Sequence, residues 1–561
     1  MSDEKQAELI ADKFSEVSLE YDSLTTEGLV IPYFEEKDIP QFTVREVEDV
    51  LKEMDSKKSS VNGDIPAKIF KKFAVFLALP ISDLINSSIR EGIWPDICKL
   101  EIVTPVPKEY PPKEIDHLRN ISGLLNLDKI AEKLITRLII SDMKHNLDPS
   151  QYANQKGISI QHYLIKLIDR ILLALDKQES CAVIATLVDW KQAFSRQCPR
   201  LGIESFIKNG VRPALIPTLI SYFQGRRMKV KWHGQMSTIR ELKGGGPQGS
   251  SFGIWEYLSQ SNDNADSVPV EDRFKFVDDL SFIEIIYLLN VGLASYNIRA
   301  HVPSDIPFHN QLIPKEHLTS QEHLLNINKW TKAKKMKLNV KKTKNMVFNR
   351  SPNQFVTKLE VNSEEIETVK ETVLLGTVIT DSLTWDRNYE ELIKKAYKRM
   401  QLLNCVASFT DSRQDLKNVY LTFIRSVLEQ SAVVWHSSLT QKNRDDLERV
   451  QKVAVKIIAG TKSLPYNEAL KILKLETLNK RRTNLCLRFA KNCLKNEKMK
   501  DLFPVKKYAL KMKIRRKRKF KTKKYRTKRM EISSLPYMRA LLNDENQKKL
   551  SFIKNSLKLT C

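Results

Sequence analysis

RFKFVDDLSFIEI, residues 273–285, sets two adjacent acids, Asp278 and Asp279, inside an otherwise apolar and alternating run. Read as a strand or a tight hairpin, the run puts Phe274, Phe276, Leu280 and Phe282 on one face. A buried carboxylate is costly unless something pairs with it, so two together need a reason. Alone, the pair reads more readily as a solvated turn than as a metal site. Three other stretches shift that balance. CAVIATLVDWKQAF (181–194) is apolar and rich in β-formers, and it delivers Asp189 at the tip of a second strand, although an Asp at a strand end is common. KGGGPQGSS (243–251) combines three glycines, a proline and a glutamine just before a helical pattern. Such a loop lets backbone approach a ligand closely; an ordinary flexible turn is the plainer reading. LNVKKTKNMVF (338–348) puts lysines just ahead of an apolar strand, where they can face phosphates.

The composition points the same way. The chain has 561 residues, enough for three or more lobes. Its 93 basic and 67 acidic residues leave a formal charge of +26. That excess favours a polyanionic partner, most simply nucleic acid, over a merely soluble basic protein. Seven scattered cysteines form no CxxC pair, which fits a reduced, intracellular setting and no zinc site. The start, MSDEKQAELIADKF, is too acidic and polar for a signal peptide. No apolar run approaches the roughly 20 residues that span a bilayer.

Along the chain, residues 1–100 read as helical. QFTVREVEDVLKEM (41–54) carries a Thr43 N-cap signal with Glu46 at capping-box spacing. SSVNGDIP (59–66) is a turn-rich loop, and FAVFLALPISDLINSSI (73–89) is expected to be a buried helix. Residues 100–380 mix short strands, helices and Gly/Pro turns, an α+β pattern; 386–500 turn strongly helical. In KKYALKMKIRRKRKFKTKKYRTKR (506–529), 15 of 24 residues are Lys or Arg and none is acidic, too self-repelling to fold alone. There are no internal repeats.

Taken in order, VDW…AF, GGGPQGS and FVDD resemble motifs A, B and C of reverse transcriptases, and the nearer likeness is to the polymerases of non-LTR (LINE-type) retrotransposons. VTPVPKEY (103–110) followed by HLRNISGLLNLDKIAEKLI resembles that family's finger region, and QYANQKGIS (151–159) its template-contacting segment. LNVKKTK resembles motif D, and LLGTVITDSLTW (374–385) the primer-grip turn and strand. FIRSVLEQSAVVW and LERVQKVAVKIIAG resemble the thumb. The likeness covers most of residues 55–480.

The resemblance implies an α+β, right-hand polymerase fold with fingers, an antiparallel-sheet palm, a helical thumb and a basic C-terminal tail. The expected divisions are a helical N-terminal region at 1–84, fingers and palm at 85–380, a helical thumb at 381–475 and a helical, basic tail at 476–561. It implies RNA-directed DNA synthesis from a primer 3′ end, with an RNA template, a DNA primer and dNTPs as partners and no membrane. Two Mg²⁺ ions, about 4 Å apart and replaceable by Mn²⁺, would be held by Asp189 and Asp278, with Asp279 assisting. Lys108 and Arg119 match finger residues that grip the triphosphate. Gln248 and Gly249 match motif B beside the nucleotide. Phe194, five residues after Asp189, matches an aromatic steric gate, with a core role as its alternative. Lys342 or Lys344 matches the motif D lysine. The expected location is intracellular, chiefly nuclear, with a cytoplasmic ribonucleoprotein phase.

The sequence also departs from the family pattern. Ser195 stands where many relatives have a second Asp, and Arg119 opens Arg-Asn-Ile-Ser where Arg-Pro-Ile-Ser is common. The gap from Gly249 to Asp278 is short, and neither the upstream endonuclease domain nor a ribonuclease H pattern is found. The chain therefore reads as a truncated element copy or a partial gene model. A catalytically inactive nucleic-acid-binding remnant is the alternative from another class. A two-metal nuclease is weaker, because nuclease chemistry has no need of the Pro-Gln-Gly loop.

Overall fold

The computed structural model describes residues 2–545 except 59, 62, 109, 179, 288–317, 351–356, 461–463, 506–519 and 522–523. These gather into two compact units, fewer than the length suggests. The first unit takes Met1–Gln151, Asp189–Ser267 and His323–Asn339; the second takes Tyr152–Val188, Val268–Glu322 and Val340–Cys561. Most of the basic block at 506–529 lies outside the described residues.

The strands in chain order are β1 (Leu100–Pro107), β2 (Leu118–Gly123), β3 (Ser180–Val188), β4 (Arg226–Trp232), β5 (Gln235–Met236), β6 (Arg240–Leu242), β7 (Arg273–Phe276) and β8 (Asp279–Tyr287). They continue with β9 (Lys344–Asn349), β10 (Leu359–Val361), β11 (Glu364–Thr368), β12 (Glu371–Leu374) and β13 (Thr377–Thr380).

The first unit joins a helical core to a small mixed sheet. β1 pairs antiparallel with β2 and parallel with β4, and β4 also carries β5 and β6. The N-terminal helix Asp3–Glu16 buries Ile10 and Ala11 against Val103, Met228 and Val230 of this sheet. The helix Val44–Glu53 begins with the expected capping box: Thr43 Oγ1 accepts from Glu46 N–H, and the Glu46 carboxylate accepts from Thr43 N–H at 2.9 Å. The helix Ala74–Glu91 departs from expectation. It buries Ala74, Ala78, Ile81, Ile85 and Ile89, but Val75, Phe76 and Leu79 are exposed. Its apolar residues run all round the helix, whereas only the i, i+4 stripe has a partner to pack on.

In the second unit the sheet order is β10-β11-β9-β3-β8-β7. The neighbouring pairs β9–β3, β3–β8 and β8–β7 are antiparallel, but β11 joins β9 in parallel, so the sheet is mixed. β3 sits at its middle, which explains why Ala182–Ala185 read as an unbroken apolar run: both faces are buried. One face packs on the helix Ile160–Asp176 through Val183, Ala185, Phe274, Ile283, Met346 and Phe348. The same core extends into the helices Asp386–Ala407, Gln441–Ala459 and Leu478–Lys495. No helix among the described residues is long and apolar enough to cross a membrane.

Candidate active site

β7 and β8 form a hairpin whose last pair is Phe276 with Asp279, leaving Val277 and Asp278 as a two-residue turn. This corrects the expected single apolar face. A two-residue turn reverses the parity of the second strand, so Phe274 pairs with Ser281 and Lys275 with Leu280. Phe274 and Phe276 therefore share a face with Ser281 and Asp279, while Leu280 and Phe282 point to the other. Asp278 is exposed at the tip and Asp279 is half-buried at the start of β8.

The turn is strained. Two-residue hairpin loops need positive φ at their first position, usually met by Asn or Gly. Here Val277, a β-branched residue, adopts φ +58°, a conformation costing on the order of 1–3 kcal/mol. The base of the hairpin holds it in place. Tyr163, fully buried on the helix Ile160–Asp176, donates its hydroxyl to Ser281 Oγ at 2.5 Å. Its ring meets Phe274 and Phe276 edge-on, with centroids 6.2 and 6.3 Å away. Burial pushes the Tyr163 phenol well above its usual range, so it remains a donor. Tyr152 N–H, on the preceding loop, donates to Lys275 O at 2.8 Å.

In the same unit, Lys342 and Lys344 have different settings. Lys342 is exposed in the turn before β9. Lys344 opens β9 and is engaged, its Nζ donating to Lys341 O at 2.8 Å and to Glu367 Oε2 at 2.5 Å.

The remaining expected residues lie in the first unit. Asp189 follows the last residue of β3, Val188, whose strand partner is Leu280. Asn339 holds Asp189 twice: its Nδ2 donates to Asp189 Oδ2 at 2.8 Å and its backbone N–H to Asp189 O at 2.9 Å. The turn 191–196 then carries Phe194, whose half-buried ring lies 5.3 Å from that of Tyr257. This turn is laced to the glycine loop. Gly246 N–H donates to Phe194 O at 3.1 Å, and Gly245 N–H to Gln197 O at 2.8 Å. A side chain at Gly246 would collide with Gln197, since a Cβ there would fall 2.1 Å from Gln197 Oε1.

The loop ends in the helix Ser251–Gln260. Ser250 caps it by accepting from Gly253 N–H at 3.0 Å. Buried Glu132 adds a carboxylate at the same terminus, accepting from Ser251 N–H at 2.8 Å and from Tyr222 OH at 2.5 Å, a placement the helix dipole favours. Lys108 and Arg119 sit exposed on the β1–β2 hairpin, where Val106 pairs with Arg119. That hairpin is bonded to the loop as well, Ser122 N–H donating to Gln248 O at 2.8 Å. Gly249 has φ +117°, a conformation side chains rarely adopt. The first unit thus brings together Lys108, Arg119, Phe194, Gln248 and Gly249 through backbone bonds, and fixes Asp189 separately through Asn339. Asn339 was not singled out from the sequence; its role arises from tertiary pairing, and only its place just ahead of the lysines hinted at it.

Among the described residues, no group of three or more His, Cys, Asp or Glu side chains forms a ready metal cage. Magnesium has no need of one, because it binds through one or two carboxylates plus substrate phosphates and water. Asp189 in the first unit and Asp278 and Asp279 in the second each carry the hard carboxylate oxygens that this cation prefers.

No protein-family model matches the chain. Over 228 residues, 40% of this chain and 25% of the relative, it is 29% identical to the probable RNA-directed DNA polymerase from transposon X-element of Drosophila melanogaster. Over 386 residues, 68% of this chain and 40% of the relative, it is 21% identical to the RNA-directed DNA polymerase from mobile element jockey of Drosophila funebris. The jockey polymerase of Drosophila melanogaster is 27% identical over 202 residues, 35% of this chain and 21% of the relative. The chain matches at most 40% of the length of these curated relatives.

Proposed function

We propose that this chain, a relative of the RNA-directed DNA polymerases of LINE-type transposons, copies RNA into DNA by extending a primer 3′ end. The observation that carries the reading is the strained Val277-Asp278 turn, which presents an acid at the tip of a rigid hairpin. Such strain persists where function requires it. In this reading the second unit supplies the palm sheet and the helical thumb, and the first supplies the fingers. Asp189, Asp278 and Asp279 are the acids that would hold the metal. Two magnesium ions bound there with the substrate phosphates would activate the primer 3′-OH and steady the leaving pyrophosphate.

The chain's own residues do the rest by positioning and electrostatics. Asn339 fixes the Asp189 carboxylate, so that acid pays little ordering cost on binding. Exposed Lys108 and Arg119 face the triphosphate from the β1–β2 hairpin. Gln248 and Gly249 form the floor under the nucleotide. Lys342, exposed where Lys344 is engaged with Glu367, is the better donor near the pyrophosphate. RNA template, DNA primer and dNTPs are the proposed partners. A basic polymerase of this kind works where its template and target DNA are, which points to the nucleus, after a cytoplasmic ribonucleoprotein phase.

The test is primer extension on an RNA template. Asp278→Asn and Asp189→Asn should each lower extension at least a thousandfold, while template affinity changes less than about twofold, because only transition-state interactions are lost. Near wild-type extension by either variant would overturn the assignment. Binding without extension by the unaltered chain would leave a nucleic-acid-binding remnant instead.

A further inference from the structure

Glu20 and Tyr21, which follow the N-terminal helix, belong to none of the motifs above, yet they touch the segments that carry Phe194, Asn339 and the glycine loop. Glu20 binds Arg196 in a two-pronged pair, Nη1 to Oε2 at 2.8 Å and Nη2 to Oε1 at 3.1 Å. Lys337 Nζ donates to both Glu20 oxygens at 3.2 Å. Tyr21, only 4% exposed, donates its hydroxyl to Arg196 O at 2.9 Å and to Lys335 O at 3.3 Å. Its ring lies flush against the glycine loop, since a Cβ on Gly244 would fall 2.2 Å from Tyr21 Cδ2.

Three separate segments converge on these two side chains. Arg196 closes the turn that carries Phe194. Lys335 and Lys337 lead to Asn339, which holds Asp189, and Lys191 N–H donates to Lys337 O at 2.9 Å. Gly244 opens the loop that ends at Gln248 and Gly249. A surface ion pair contributes little by itself. Here, however, one carboxylate joins a buried guanidinium and an ammonium from segments about 140 residues apart in the chain, as their positions 196 and 337 show. Arg196 holds the Glu20 carboxyl at about 2, well below its usual range, so the pair stays ionised at any working pH.

We propose that Glu20 and Tyr21 are positioning residues of the nucleotide site, a clamp that sets the Phe194 turn, the Asn339 segment and the glycine loop in register. The proposal rests on the polymerase reading. Glu8, on the same N-terminal structure, provides the control. Its bonds go instead to Thr238 and Arg240, accepting from Thr238 N–H and Arg240 Nη2 at 2.7 Å each, and reach none of the three segments.

The experiment compares Glu20→Gln, Tyr21→Phe and Glu8→Gln in the full chain. Amide hydrogen exchange is followed at Gly245, Gly246 and Asn339, alongside kcat and KM for dNTP on a primed RNA template. Glu20→Gln and Tyr21→Phe should speed exchange at those amides and lower kcat/KM about tenfold, the size expected when a positioning contact is lost. Glu8→Gln should leave both within about twofold. Unchanged exchange in the first two variants, or equal effects from Glu8→Gln, would sink the clamp. Failure of the unaltered chain to extend any primer would refute the polymerase reading instead, and exchange alone would then decide whether the three segments are clamped.

Discussion

Phe194 rests half-buried against Tyr257, on a turn whose backbone is bonded to the glycine loop. If Phe194 is the proposed steric gate, its ring would fill the space that a ribonucleotide's 2′-OH would enter. Packed sites do not yield easily, and each 1.36 kcal/mol of overlap is about tenfold in rate. Phe194→Ala should therefore raise rGTP incorporation relative to dGTP by at least tenfold, read as a ratio of kcat/KM values on one primed template. A core role alone would lower both together and leave the ratio unchanged. Glu256 offers a second test, in stability. It is fully buried beneath the glycine loop, and burial pushes its pKa up to about 8, with Arg226 and Gln260 opposing. Its Oε2 and the Gln197 Oε1 are both buried without a partner beside Gly246, a setting in which a protonated acid can donate. The folded pKa lies above the usual 4.5, so the native state keeps a proton that the unfolded chain releases. Stability is then full below about pH 4.5 and falls as pH rises to 8. Glu256→Gln mimics the protonated form. It should match the parent at pH 5 and exceed it by about 3 kcal/mol at pH 8 in urea unfolding; parallel pH profiles would contradict this.

Among whole elements, those with local signals were legible in the sequence. The Thr43–Glu46 box sits where its spacing puts it, β3 matches its apolar run, and the glycine loop does run into a helix. What failed depended on pairing or partners. A hairpin and a strand share one alternating pattern, and only the turn count decides parity, so Leu280 and Phe282 were placed on the wrong face. The helix Ala74–Glu91 is apolar on all sides, and nothing in its sequence tells which side finds neighbours. The parallel addition of β11 to β9 joins residues 23 apart, Lys344 with Glu367, and carries no short-range mark. The basic segment 506–529 is an element of composition. Its 15 cationic residues should neutralise phosphates without regard to sequence. Deleting it should weaken RNA and DNA binding alike and flatten the salt dependence, each lost contact lowering the log–log slope by about 0.7–0.9. An unchanged slope would leave the segment a targeting role only.

At the scale of the molecule, the motifs point to the proposed site residues but not to what holds them. Asp189, Asp278, Gln248 and Phe194 each lie in a recognisable string, whereas Asn339, Tyr163, Glu20 and Tyr21 act through contacts far apart in sequence, which no window of neighbouring residues contains. The division into units was equally hidden, because each unit is assembled from three stretches of chain. That threading governs the order of events during synthesis. Tyr21 waits for Lys335, 314 residues later, and Asp189 waits for Asn339, 150 residues later. At about 5–20 residues per second, the first wait is roughly 15–60 s. The apolar side of the N-terminal helix can close earlier, on Val103, Met228 and Val230, but the Lys335 contact waits through that interval, and the second unit's sheet cannot gain β9 until the first unit has received its last strip. Each unit therefore receives its last strip only from residue 323 onward, so the two should complete their folding close together, late in synthesis.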